Sequence, residues 1–198
     1  EEYDRLKGGP LAGVAAPISD IGMIFLNDIE VMTDPNVRMA AALAIDKQAI
    51  IDRLLSGYGV KIDTLQTPEY AAYDASITVP YDEAKAIELL AASGYGPDNP
   101  VKFKIQSTQG FKPKDYEMVQ AIVGLWRKVG IAKHYDLPAA DQLATAAFYI
   151  WGNSVGAPTT STGFAMFGPS PHSVWDGEDL INMIGPLWGE ADEAKRID

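Results

Sequence analysis

Metal chemistry has little to work with in this sequence. The chain of 198 residues carries two histidines, His134 and His172, 38 positions apart, and no cysteine. A zinc-type site needs three or four ligands at close spacing, and neither H-x-x-x-H nor a cysteine pair is present. Both histidines read as ordinary hydrogen-bonding side chains, and no metal or cofactor is expected. The phosphate-cradling patterns G-x-G-x-x-G and G-x-x-x-x-G-K-S/T are also missing, so a nucleotide cofactor has no support. Acid–base catalysis by a carboxylate pair has more material, with 27 Asp and Glu. Most of these stand at helix starts (Asp34, Asp46, Asp82) or on polar faces. The loop-proximal pair Asp176 and Glu178 is the one to consider for a hydrolase.

A different chemistry is offered by aromatic residues beside a polar loop. Tyr149, Trp151, Phe164, Phe167 and Trp175 are concentrated around residues 152–176, a stretch rich in Gly, Pro, Ser and Thr. Such rings either wall a ligand cleft or pack the core beneath the loop.

The elements that would position these residues follow from periodicity and punctuation. Gly22 to Asn27 reads as a buried strand. Asp34 and Pro35 start a helix, with Val37, Ala40, Ala41 and Ala44 at helical spacing. Asp46 caps a continuation to Ser56-Gly57, with Gly57 as a left-handed stop. Residues 58–80 have no helical period and form a long ordered loop. Asp82 caps a second clean helix ending at Ser93-Gly94. The stops Ser56-Gly-Tyr-Gly59 and Ser93-Gly-Tyr-Gly96 read as repeated capping chemistry. Val101, Phe103 and Ile105 alternate with Lys102 and Lys104, the pattern of a half-buried strand. A third helix is expected from about Pro113 to Val129, with Met118, Val119, Ile122, Val123 and Trp126 as its apolar stripe and Gly130-Ile131 as a Schellman stop. Residues 131–137 are a possible strand and Ala146–Trp151 a clear one. The segment from Asp179 starts helical and is interrupted at Gly185-Pro186 and Gly189. This alternation of strands and helices argues an α/β fold.

Composition narrows the classes further. With 47% apolar and 22% charged residues, the chain suits a folded globular protein. The net charge is −11, and it is uneven. Residues 1–100 hold 7 basic and 16 acidic side chains, residues 102–133 hold 7 and 2, and residues 134–198 hold 2 and 9. A net acidic chain repels phosphate backbones, so nucleic-acid binding is not expected. No apolar run approaches the roughly 18–20 residues that span a bilayer. The acidic start Glu1-Glu2-Tyr3-Asp4 is no signal peptide, so the protein is cytosolic or its true start is missing.

Four segments carry a family resemblance. Asp34-Pro-Asn-Val-Arg-Met-Ala-Ala-Ala-Leu-Ala-Ile-Asp-Lys-Gln-Ala-Ile-Ile-Asp-Arg-Leu-Leu-Ser-Gly57 closely resembles a segment of the extracellular solute-binding proteins of the oligopeptide/dipeptide/nickel group. Tyr81 to Tyr95 is similar to that family's Y-D-P-x-K-A-K-x-L-L-x-E-A-G-Y, Leu125 to Ile131 to its L-x-K-V-G-I, and Asp192 to Arg196 to its D-x-x-K-R. The resemblance implies an α/β fold, a periplasmic-binding-protein-like (type II) lobe with a mixed sheet flanked by helices. It implies that residues 1–198 are a single lobe, the C-terminal one of a two-lobed protein about twice this size. The preceding lobe, the signal peptide and a closing C-terminal segment would then lie outside this sequence. Such proteins are monomers that carry a solute in the periplasm, or as lipid-anchored extracellular proteins, to an inner-membrane ABC permease, without catalysis or membrane insertion.

Site residues follow from the same resemblance. Dipeptide binders of the family are expected to place an acid a few positions after a Trp. Here Trp151-Gly-Asn-Ser-Val-Gly-Ala-Pro158 puts Ser154 there. They also tend to carry an Arg in the loop after the strand at 101–107, and Gln109 stands there, followed by Phe111. A zwitterion in a dry cleft needs both charged partners. The expected ligand is therefore a neutral or polar solute, or a peptide held by its backbone. Trp151, Tyr149 and Phe111 would form its apolar walls, and Gln109, Asn153 and Ser154 its neutral hydrogen bonds. Two other readings are a hydrolase built on Asp176 and Glu178, and a module that docks a transporter through its acidic faces.

Overall fold

Three helices begin where an aspartate side chain accepts a free backbone N–H. Helix α1 (Pro35–Leu43) starts with the Asn36 N–H donating to Asp34 at 2.8 Å, and Pro35 fills the first position, where no N–H is needed. Helix α2 (Lys47–Leu54) is capped by Asp46, which accepts from the Ala49 N–H at 2.9 Å. Helix α3 (Glu83–Ala92) is capped by Asp82, which accepts from the Lys85 N–H at 2.8 Å. These observations come from a computed structural model that describes residues 5–7, 9–10, 20–27, 30–64, 67–69, 73–131, 146–152, 177–192 and 194–195.

The remaining elements are strand β1 (Asp20–Leu26), a 3-10 turn at Glu30–Thr33, strand β2 (Ile105–Ser107), helix α4 (Asp115–Lys128), strand β3 (Ala146–Gly152), helix α5 (Glu178–Ile184) and a second 3-10 turn at Gly185–Gly189. The order of the sheet is β1-β3-β2. Strand β3 runs antiparallel to β1 and parallel to β2, so the sheet is mixed.

The core lies between this sheet and helices α1, α3 and α4. Ala40, Ala41 and Ala44 are buried, and their small side chains let α3 approach α1 closely. Asp82 donates its backbone N–H to the Leu43 carbonyl at 2.9 Å, which ties the start of α3 to the end of α1. Trp126 is fully buried in the middle of the core. Its indole N–H donates to the Ala41 carbonyl at 2.7 Å, and its ring meets Phe103 edge to face at 5.2 Å.

The expected stripe of α4 is observed, with Val119, Ile122, Val123 and Trp126 buried and Met118 packed at its margin. The helix begins at Asp115, two residues later than Pro113, because Lys114 has a left-handed backbone (φ 63°) that a helix cannot pass through. It ends in the expected Schellman stop. Gly130 (φ 91°) donates to Arg127, and Ile131 donates to Trp126 at 2.9 Å. Val101, Phe103 and Ile105 are buried as their alternation requires, with Lys102 and Lys104 exposed. The ladder, however, covers only Ile105–Ser107, because Val101 bridges to Ile131 and not to β3. Among the described residues of 58–80 there is neither helix nor strand, as expected. Lys47 straps this loop to α2, donating to the Ile62 carbonyl at 3.1 Å and pairing with Asp63.

The two Ser-Gly-Tyr-Gly stops differ, which corrects the reading of repeated capping. After α3, Ser93 is the cap, Gly94 is left-handed (φ 80°) and Tyr95 donates to Leu90 at 2.9 Å. After α2, Leu55 is the cap, and both Ser56 (φ 53°) and Gly57 (φ 79°) are left-handed. Gly57 there donates to Ile51 at 3.0 Å, one residue further back than a Schellman bond.

Candidate binding site

Sheet topology brings two of the predicted segments to one edge. Strands β2 and β3 are parallel, so both end at the same side of the sheet, and the antiparallel β1 begins there with Asp20 opposite Gly152. Residues 108–114 leave β2 at this edge, and β3 reaches it at Gly152. In open α/β sheets ligands sit beyond the carboxyl ends of the strands. Gln109 and Phe111 lie in the loop after β2. Tyr149 and Trp151 lie on β3, paired in register with Met23 and Ile21. Asn153 and Ser154 follow directly on Gly152 but lie outside the described residues, as do Phe164, Phe167, Trp175 and both histidines.

The loop after β2 is organised around one carboxylate. Asp115 is 1% exposed, yet it is the first residue of α4. Its Oδ1 accepts from the N–H groups of Gly110 at 2.9 Å and Tyr116 at 2.8 Å. Its Oδ2 accepts from the Thr108 hydroxyl at 2.7 Å, the Phe111 N–H at 3.0 Å and the Lys112 N–H at 3.2 Å. Burial alone would push this carboxyl up. The Thr108 hydroxyl and the Gly110, Lys112 and Tyr116 amides more than offset that and hold it well below the usual carboxylate range. Gly110 has φ 76°, which lets the chain turn back over the carboxylate.

A second tie joins the loop to the sheet. Lys112 Nζ lies 2.6 Å from Asp20 Oδ2, at the point where β1 faces the end of β3. The loop thus carries its tip outward from two fixed points. Phe111 is 72% exposed, which leaves its face free for contact. Gln109, Phe111, Lys112 and Tyr116 border an open depression of about 570 Å³.

Other sequence-based candidates fare differently. Glu178 is exposed in the first turn of α5, and Asp176 lies outside the described residues. Among the described residues no group of three or more His, Asp or Glu is placed to hold a metal, and no helix is long and apolar enough to cross a membrane. Asp115 escaped sequence reasoning. Its only local sign was an acid at the head of an apolar-striped helix, which reads as a solvent-exposed cap. A G-x-S-x-G spacing at Gly152-Asn153-Ser154-Val155-Gly156 also escaped. A nucleophile elbow requires a strand, a sharp turn and a helix. Only the strand lies among the described residues, so the spacing carries no catalytic assignment.

Residues 2–172 match the family described as bacterial extracellular solute-binding proteins, family 5 (middle segment). The chain belongs to this family. Di/tripeptide-binding protein 1 of Pseudomonas aeruginosa is 29% identical over 194 residues, which cover 95% of this chain and 33% of that protein. The structure of HbpA2 from Haemophilus parasuis superposes with a TM-score of 0.82 at 20% identity, covering 99% of this chain and 42% of that one. NikA from Staphylococcus aureus, solved in complex with Ni(L-His)2, gives a TM-score of 0.77 at 18% identity over 90% of this chain and 40% of NikA. The chain therefore spans about a third of the length of the Pseudomonas relative. Its fold is the type II periplasmic-binding-protein-like α/β fold, as the resemblance implied.

Proposed function

We propose that this chain is one lobe, residues 1–198, of a two-lobed solute-binding protein that delivers a small polar solute or peptide to an ABC importer. The observation that carries this reading is the shared sheet edge. Within a family 5 fold, β2 ends beside Phe148 and β3 runs on in the same direction to Gly152, and Lys112 of the loop after β2 reaches Asp20, the register partner of Gly152. Phe111, Tyr149 and Trp151 supply apolar walls, and Gln109, Asn153 and Ser154 supply neutral hydrogen bonds. Lobe closure is driven by contacts made only in the closed state. The role is binding without catalysis. The whole protein works as a monomer in the periplasm, or as a lipid-anchored extracellular protein, and hands its solute to an inner-membrane permease.

The solute class follows from the side chains at the loop. Relatives carry cargo as different as di/tripeptides and, for NikA, Ni(L-His)2, so the family alone does not choose. Gln109 and Ser154 are uncharged, Lys112 is committed to Asp20, and Lys114 and Glu117, which also border the depression, face each other at 3.8 Å. A free dipeptide needs a cation for its carboxylate and an anion for its ammonium group. A neutral polar solute, or a peptide held by its backbone, fits better. Isothermal titration of the full-length protein should give weak or no binding of the dipeptide Met-Leu and measurable binding of a member of a neutral monosaccharide and blocked-peptide panel. Sub-micromolar binding of Met-Leu would sink the assignment.

A further inference from the structure

We propose that Asp115 is the positioning residue of the solute-contacting loop: it touches no solute, but sets where Gln109 and Phe111 stand. This rests on the reading that those two side chains face the solute. Five donors converge on its two oxygens, and four of them belong to residues 108–112. A loop of this composition, with Gly110 and an exposed phenyl ring, has no apolar packing of its own to define a single conformation. The carboxylate replaces that packing. It is buried, its own rotamer is fixed by donors on both oxygens, and it stands on α4, whose next turns bury Val119, Ile122 and Val123 in the core. A rigid element therefore holds residues 108–112 through one side chain, with the partly exposed Lys112–Asp20 pair as a second tie, the arrangement that a precise binding surface requires. The contribution is directional. An asparagine at position 115 would turn an amide N–H2 towards backbone N–H groups and repel one half of the set.

The test uses the full-length two-lobed protein. Hydrogen–deuterium exchange at Gly110, Phe111 and Lys112 should rise about tenfold or more in Asp115→Asn, while exchange in Val119–Trp126 stays as in wild type. Unchanged loop exchange overturns the proposal. Titration with a defined panel of neutral monosaccharides and N-acetylated dipeptide amides gives the second arm. Asp115→Asn should weaken the best member about tenfold or more. Thr108→Val should weaken it less, and Thr108→Ser, which keeps the hydroxyl donor, should restore it. In a Gln109→Ala/Phe111→Ala background, Asp115→Asn should add almost nothing, because a positioning residue acts only through what it positions. A full additive loss there marks a merely structural role and overturns the proposal. If wild type binds no panel member, the reading of the site fails and this proposal fails with it. The exchange arm would still report whether Asp115 holds the loop, so the two failures can be told apart.

Discussion

The core around Trp126 and the loop around Asp115 stand at opposite ends of the same helix arrangement, and they are held by opposite physics. The core is held by apolar area from α1, α3 and α4, with one buried indole hydrogen bond. That attraction has little direction, so the core fixes which elements pack and tolerates small shifts among them. The loop buries one carboxylate and exposes its largest ring. Hydrogen bonds to a charged acceptor are short and directional, so the loop is held in one geometry by little buried area. The difference teaches that overall stability and the geometry of this loop are separately encoded here, and that each can be damaged alone.

The largest effect should come from the core. Trp126→Ala removes a fully buried ring and its bond to Ala41 and should cost about 3–5 kcal/mol, read by urea denaturation. A loss under about 1 kcal/mol would mean that this ring is not central to the core, and the comparison would collapse. Asp115→Ala should cost less, about 1–3 kcal/mol, because the orphaned loop N–H groups are near the surface and can turn to water. The pH dependence separates the two regions further. The Asp115 carboxyl is lowered in the folded state, so its contribution is complete above the unfolded value near pH 4 and is lost as pH falls towards the folded value. Between about pH 4 and 3, wild type should lose up to about 1.4 kcal/mol more than Asp115→Ala. Parallel acid curves for the two proteins would show that the carboxylate is not held as described. Smaller still is Asp82→Ala, which removes the α3 cap and should cost about 1 kcal/mol without altering loop exchange.

How much of this was legible in the sequence depends on how local the physics is. Asp34-Pro35 and Asp82 announced α1 and α3 because an N-cap acts within three residues. The stripe of α4 announced its buried face for the same reason. Failures arose where distant partners decide. The strand expected at 101–105 shrank to Ile105–Ser107 because its first residue found Ile131 instead of β3. The tetrapeptide Ser-Gly-Tyr-Gly ends two helices in two geometries, since Ser93 caps α3 while Ser56 lies one residue past the cap of α2. At the proposed site, Gln109 and Phe111 were nominated only through family resemblance, and Asp115 was not legible at all. Its burial requires the left-handed Lys114 and the turn at Gly110, neither of which any periodicity marks.

The finest discrimination comes from Lys112. Both members of its pair are partly exposed, at 30% for Lys112 and 24% for Asp20, so the attraction is weakened by water. Lys112→Met should therefore cost only about 0.5–1 kcal/mol. The sharper quantity is the coupling with Asp20→Asn in a double-mutant cycle. It should be of similar size at low salt and shrink in 1 M salt, where the screening length falls to about 3 Å. Asp115 holds Lys112 by its backbone N–H and not by its ammonium group, so loop exchange at Gly110 and Phe111 should stay near wild type in both single variants. A coupling of zero would leave Asp115 as the loop's one anchor, and the sheet edge would then meet the loop without being joined to it.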